Sequence, residues 1–162
     1  MLRLEADASA LQLYRVVEPK LDPLSGRLAW RWRVEGMVPG ADLTDPERDD
    51  ASMRVFVVFG EPGLMTRPRT LFYSWGGADP ESRAFLSHVS DRIGVVVLRA
   101  GPEMAGRWIS EARNLSADFR GVFGEEPSEP VTAVGIMIDT DQTGASAASE
   151  LAELLWLPGG GS

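Results

Sequence analysis

Two polar clusters hold the residues of this sequence best suited to chemistry. The first, Asp139-Thr-Asp-Gln-Thr-Gly144, sets oxygen donors at alternate positions directly after an apolar run. Glu150 falls where a calcium loop would place its closing bidentate carboxylate. Read as a site, Asp139, Asp141, Thr143 and Glu150 would hold Ca2+. Thr143 then replaces the usual third acidic or amide ligand, and no flanking helices are expected, which sets the loop apart from an EF-hand. Read as a turn, Asp139 and Asp141 bond to nearby amides while Gly144 supplies a left-handed corner.

The second cluster is Arg31, Arg33, Arg54, Glu111, Arg113, Asn114 and Asp118. Alternation puts the three arginines Arg31, Arg33 and Arg54 opposite an apolar wall, where they could meet on one sheet. As a site, this would be a concave polar face for an anionic or hydroxyl-rich ligand, because guanidinium forks match carboxylates and vicinal oxygens. The alternative is an Arg–Glu–Asp network that covers the sheet and anchors a helix. Five tryptophans invite sugar stacking. Trp30 and Trp32 fall on the apolar face and read as core, whereas Trp75, next to Gly76-Gly77, is the exposed candidate for a ligand platform.

Signals for catalysis are negative. The sole histidine, His88, lies in a polar stretch with no nucleophile or metal partner in view. Neither a phosphate loop nor a serine elbow is present. The acid pairs Asp49-Asp50 and Glu125-Glu126 read as solvated loop residues before they read as a glycosidase pair.

The elements that must position these residues are strands. Leu28, Trp30, Trp32 and Val34 share one face of a segment whose other face is Arg27, Ala29, Arg31, Arg33 and Glu35. Alternation also marks residues 2–6 and 11–16 as half-buried strands. Further strands are expected over 53–59, 70–75, 93–98, 107–113, 130–139 and 149–157, the last with a helical alternative over 150–156. The near-continuous apolar run 93–98 suits a strand covered on both sides. Polar connections are expected over 36–52, 60–69 and 76–90. One short helix is expected over 114–123, with Asn114 as its cap and Gly124 as its stop. Short strands, regular turns and no βαβ alternation predict an all-β, two-sheet antiparallel sandwich over 1–157, followed by a flexible Gly/Ser tail over 158–162.

At 162 residues, with 44% hydrophobic and 25% charged residues, the chain can bury one continuous core. A net charge of −8 argues against nucleic acid as a partner. Without cysteine there are no disulfides and no thiolate chemistry. No apolar run reaches the roughly 18 to 20 residues of a spanning helix, so membrane insertion is not expected, and Met1 opens directly into strand-like alternation with no export signal as written.

Five stretches together resemble the domain-of-unknown-function family 3047. They are Leu28-Ala-Trp-Arg-Trp-Arg-Val-Glu35, Asp50-Ala-Ser-Met-Arg-Val-Phe-Val-Val-Phe59, Phe72-Tyr-Ser-Trp75, Trp108-Ile-Ser-Glu-Ala-Arg-Asn-Leu-Ser-Ala-Asp-Phe-Arg-Gly-Val-Phe-Gly124 and Ile136-Met-Ile-Asp-Thr-Asp-Gln-Thr-Gly144. The resemblance implies a bacterial β-sandwich of the jelly-roll or carbohydrate-binding-module kind, often exported and so periplasmic or secreted if a leader has been removed, with no assigned catalytic residues. It also implies strand-forming sequence ahead of the segment that begins here at Met1, so that an exposed edge would be completed by another chain or by further residues. The functional expectation is a non-enzymatic module that binds a carbohydrate or other polar ligand through the Arg31, Arg33, Arg54 and Arg113 face. Its rival is a structural or accessory subunit docking onto a larger protein assembly.

Overall fold

The computed structural model describes residues 1–63, 67–79, 81 and 83–159. Ten strands and one helix follow in order: β1 Leu2–Asp7, β2 Ala10–Leu21, β3 Gly26–Val34, β4 Ala51–Phe59, β5 Arg69–Gly76, β6 Ala84–Ser87, β7 Ser90–Ala100, β8 Ile109–Arg113, α1 Leu115–Phe123, β9 Val131–Asp139 and β10 Ser146–Pro158. They form a four-stranded sheet ordered β1-β10-β3-β8 and a six-stranded sheet ordered β2-β9-β4-β5-β7-β6. The two-sheet sandwich with one short helix is therefore as the alternation predicts. The pairing is antiparallel throughout except where β5 runs parallel to β7. There the chain passes through the short edge strand β6 before turning back into β7. β6 lies in the polar stretch expected to be a connection; four largely exposed residues at an edge leave little periodicity to read.

The inner faces meet over an aromatic core built on β3. Trp30 and Trp32 are buried and edge-packed at 5.6 Å, Trp32 meets Trp75 at 5.6 Å, and Trp30 meets Tyr73 at 5.3 Å. Met53, Val55, Val57, Ile136 and Ile138 fill the opposing sheet. β7 is covered on both faces as expected: Val96 and Leu98 join this core, whereas Val95 and Val97 join a second cluster with Leu43. Leu43 belongs to the 36–50 stretch, which is not a solvated loop. Val38, Ala41, Leu43 and Asp50 are all buried there.

The reading of Trp75 is corrected as well: its ring packs on Trp32 between the sheets, is 0% exposed and cannot serve as a surface platform. The glycines beside it mark a close crossing. A Cβ on Gly77 would stand 2.5 Å from the carbonyl oxygen of Ala41, and one on Gly76 would stand 2.8 Å from Asp79 Oδ2.

α1 begins as expected, with Asn114 Oδ1 accepting the Ala117 amide at 3.0 Å, and ends at Gly124 with φ 76°. It packs against β3, β6 and β7 and inserts Phe119 against Phe59 at 4.9 Å. β10 is strand rather than helix, with a register shift between Ala152 and Leu155 and a left-handed Glu153 at φ 56°. Pro158 is its last residue, opposite Gly26, so the proposed tail starts later than 158; residues 160–162 lie outside the described set.

Candidate functional site

The seven residues expected to form one polar face divide among three places. Arg31 and Arg33 point outward from β3, on the solvent face of the four-stranded sheet. Arg33 Nε donates to Glu150 Oε2 at 2.7 Å, Arg31 pairs with Glu153 at 3.1 Å, and Arg3 forks onto Glu35 at 2.6 and 2.9 Å. Both arginines also stack on Trp108, at 5.5 and 5.4 Å from its ring. Glu150, expected as the final calcium ligand, is instead 4% exposed in this network on the other sheet from Asp139. Being opposite Arg33 in the ladder, it faces the arginines.

Glu111, Arg113, Asn114 and Asp118 occupy a second place. Register decides it: Glu111 lies opposite Trp30 and Arg113 opposite Leu28, so both face inward, away from Arg31 and Arg33. Glu111 accepts from Arg99 Nε at 2.8 Å and Trp32 Nε1 at 3.3 Å. Asp118, on the first turn of α1, accepts from Arg113 at 2.6 and 3.0 Å and from the Tyr73 hydroxyl at 2.9 Å. Burial and the neighbouring Asp118 carboxylate hold the Tyr73 phenol well above its usual range. This group ties β5, β8 and α1 together, the anchoring role weighed from the sequence.

Arg54 lies in the third place, on β4 of the six-stranded sheet, and so cannot join Arg31 and Arg33. Its Nη2 donates to the Asp49 carbonyl at 2.8 Å and the Asp49 carboxylate at 2.6 Å, and the guanidinium covers Phe72 at 5.5 Å. Here too are Asp139 and Asp141, joined by Asp50, whose carboxylate oxygens lie within 4.8 Å of theirs. Asp50 accepts the amides of Gln142 at 3.2 Å and Thr143 at 2.8 Å, together with the Thr143 hydroxyl. The loop is thus stapled from β4's entry, and Gly144 takes the expected left-handed corner at φ 66°. Burial pushes the Asp139 carboxyl up to about 6, with Asp141 and Asp50 adding to the rise and Arg54 opposing it. Burial also raises Asp49, against Arg54 and His88. Asp49-Asp50, readable as a solvated pair, is therefore the missed part of this cluster. The only sequence signal for it was an acidic pair entering a strand.

The fourth place is apolar. β1 pairs with β10 only from Leu151 back to Ser146, so among the described residues the stretch 152–158 of β10 has a strand partner on its β3 side alone. β2, the edge of the other sheet, is exposed along nearly its whole length, against its expected half-burial. Between them lies a groove of about 560 Å³ with Leu13, Val16, Leu21, Leu28, Leu151, Leu154 and Trp156 in its lining. Leu13 is 54% exposed, Val16 60% and Leu155 52%, with Leu11, Tyr14 and Leu157 also exposed nearby. A second depression of about 580 Å³ is polar; of the cations in its lining Lys20 pairs with Glu61, Arg69 with Glu125, and Arg92 donates to the carbonyl oxygens of Arg67 and Pro68.

The profile of one protein family matches residues 1–155 of this geometry. The chain belongs to DUF3047, a family of proteins of unknown function. No functionally described protein matches it at a significant level. In this DUF3047 chain the matched span takes in β1, β2 and β10 as far as Leu155, and with them the groove, the Arg–Glu face and the aspartate cluster. No helix among the described residues is long and apolar enough to cross a membrane.

Proposed function

We propose that this protein is an accessory module that docks onto another protein by taking an extended strand into the groove between β10 and β2. The observation that carries this reading is the edge of β10 from Ala152 to Pro158, which no strand among the described residues pairs on that side and which continues the track of β1 beside an apolar trough. A strand laid there in line with β1 gains the free backbone groups of β10, while its alternate side chains reach Leu28, Leu154 and Trp156. The two lateral openings of the sandwich also differ. α1 packs across the β6 and β7 side, where Leu86 and Val89 stay exposed, whereas the β1 and β2 side exposes the larger set Leu11, Leu13, Tyr14, Val16, Leu155 and Leu157. A second copy is the less favoured occupant, because each copy brings a net charge of −8.

The polar-ligand reading is supported less. Trp75 is buried, Arg54 and Arg113 point elsewhere, and the Trp108 ring is already stacked by Arg31 and Arg33.

A synthetic peptide alternating leucine with serine and lysine tests the docking reading, followed by titration calorimetry and compared with a scrambled peptide in which the leucines are contiguous. The alternating peptide is expected to bind more tightly, and Leu13→Arg, which places a charge at an already exposed position, is expected to weaken it about tenfold, a cost of about 1.4 kcal/mol. Equal binding of both peptides, or an unchanged affinity in Leu13→Arg, contradicts the reading.

A further inference from the structure

Separate from docking, we infer that Asp50, Asp139 and Asp141, with the Thr143 hydroxyl beside them, form a site for one divalent cation of the calcium class. The three carboxylates come from two distant parts of the chain: Asp50 from the residue before β4, Asp139 and Asp141 from the end of β9 and the turn after it. An acidic cluster alone would say little, since Asp50 already serves as a staple for the turn. The deciding feature is Asp139 Oδ1. The residue is 6% exposed, and this oxygen is sealed from solvent with no hydrogen-bond partner. A buried carboxylate oxygen left without a partner costs stability unless something positive meets it.

The protein itself supplies too little positive charge to meet it. Asp49, Asp50, Asp139 and Asp141 gather around a single guanidinium, Arg54, whose Nη2 is committed to Asp49 and whose Nε is buried without a hydrogen-bond partner, so that one cation stands against four carboxyl groups. His88 Nε2 stands 3.6 Å from Asp49 Oδ2.

The donor set selects the class of ion. Carboxylates and a hydroxyl, with no imidazole or thiolate, suit a hard cation over zinc. Oxygens on opposite sides of a Ca2+ ion are about 4.6–5.2 Å apart, against about 4.2 Å for Mg2+. The three carboxylates each offer an oxygen within 4.8 Å of the others, inside the reach of one such ion. Bound there, the cation would join the entry of β4 to the turn that leads into β10.

Titration calorimetry of the chelator-treated protein with CaCl2 and then MgCl2 tests this, together with thermal unfolding in each salt. Calcium is expected to bind with one-to-one stoichiometry, to raise the unfolding midpoint by about 5 °C at saturation, and to bind more tightly than magnesium. Asp141 is exposed, so Asp141→Asn keeps the fold and is expected to weaken calcium about tenfold. The inference is overturned by any of three results: no heat and no midpoint shift up to about 5 mM calcium, magnesium binding as tightly as calcium, or an unchanged calcium affinity in Asp141→Asn.

Discussion

Trp32→Ala is expected to remove about 3–5 kcal/mol of stability, a large part of the 5–15 kcal/mol that holds an ordinary domain together. Trp32 is 0% exposed and lies between Trp30 and Trp75, each with its ring centroid 5.6 Å away, so its loss opens a cavity bordered by two rigid rings that cannot close over it. Its Nε1 also donates to Glu111 at 3.3 Å, and removing the donor leaves Glu111 with Arg99 alone. Urea unfolding followed by circular dichroism should show the midpoint falling by about 2 M with an unchanged slope. Trp108→Ala, on the half-buried outer face, should cost under about 1 kcal/mol. Equal costs for the two tryptophans would mean that the core is not organised around β3.

Asp118→Ala is expected to cost about 2 kcal/mol, because one carboxylate satisfies both the fully buried Tyr73 hydroxyl and the Arg113 fork. Arg113 is about one-third exposed and can turn toward water, which keeps the loss below that of a fully buried pair. Tyr73 cannot escape in this way. Asp118→Ala combined with Tyr73→Phe should therefore cost less than the sum of the two single changes, since the double variant leaves no buried hydroxyl unpaired. Strict additivity in the same urea measurement would show that Tyr73 and Asp118 do not depend on each other.

How far the sequence discloses this molecule depends on what periodicity can encode. Alternation assigns a residue to a face of its own strand, which is why Trp30 and Trp32 read correctly as core and why the capped helix reads correctly from Asn114 to Gly124. It does not say which sheet a strand joins. Arg31 and Arg54 share a pattern and lie on different sheets. Nor does it give register between strands. Glu111 and Arg113 face inward only because β8 pairs Trp30 with Glu111 and Leu28 with Arg113.

Glycine misled for a related reason. Gly76-Gly77 reads as an exposed turn, but these positions are small because the 36–43 segment crosses them, and Trp75 beside them turns into the core against Trp32. In the aspartate cluster, Asp139 and Asp141 were legible from spacing along the chain, whereas Asp50 comes from a remote segment and Glu150 belongs to the arginine network. The exposed edge has a similar history. Leu11 and Leu13 alternate like residues of a half-buried strand, and only the sheet order shows that β2 has no neighbour on its outer side among the described residues.

Hydrogen–deuterium exchange of the protein with and without the alternating leucine peptide tests strand docking most directly, because it reports the backbone where a strand would add. The account predicts slowed exchange at the amides of residues 152–158 that point away from β3, with β6 and β8 unaffected. Unchanged exchange over 152–158 at peptide saturation, or protection confined to β6 or β8, would contradict it.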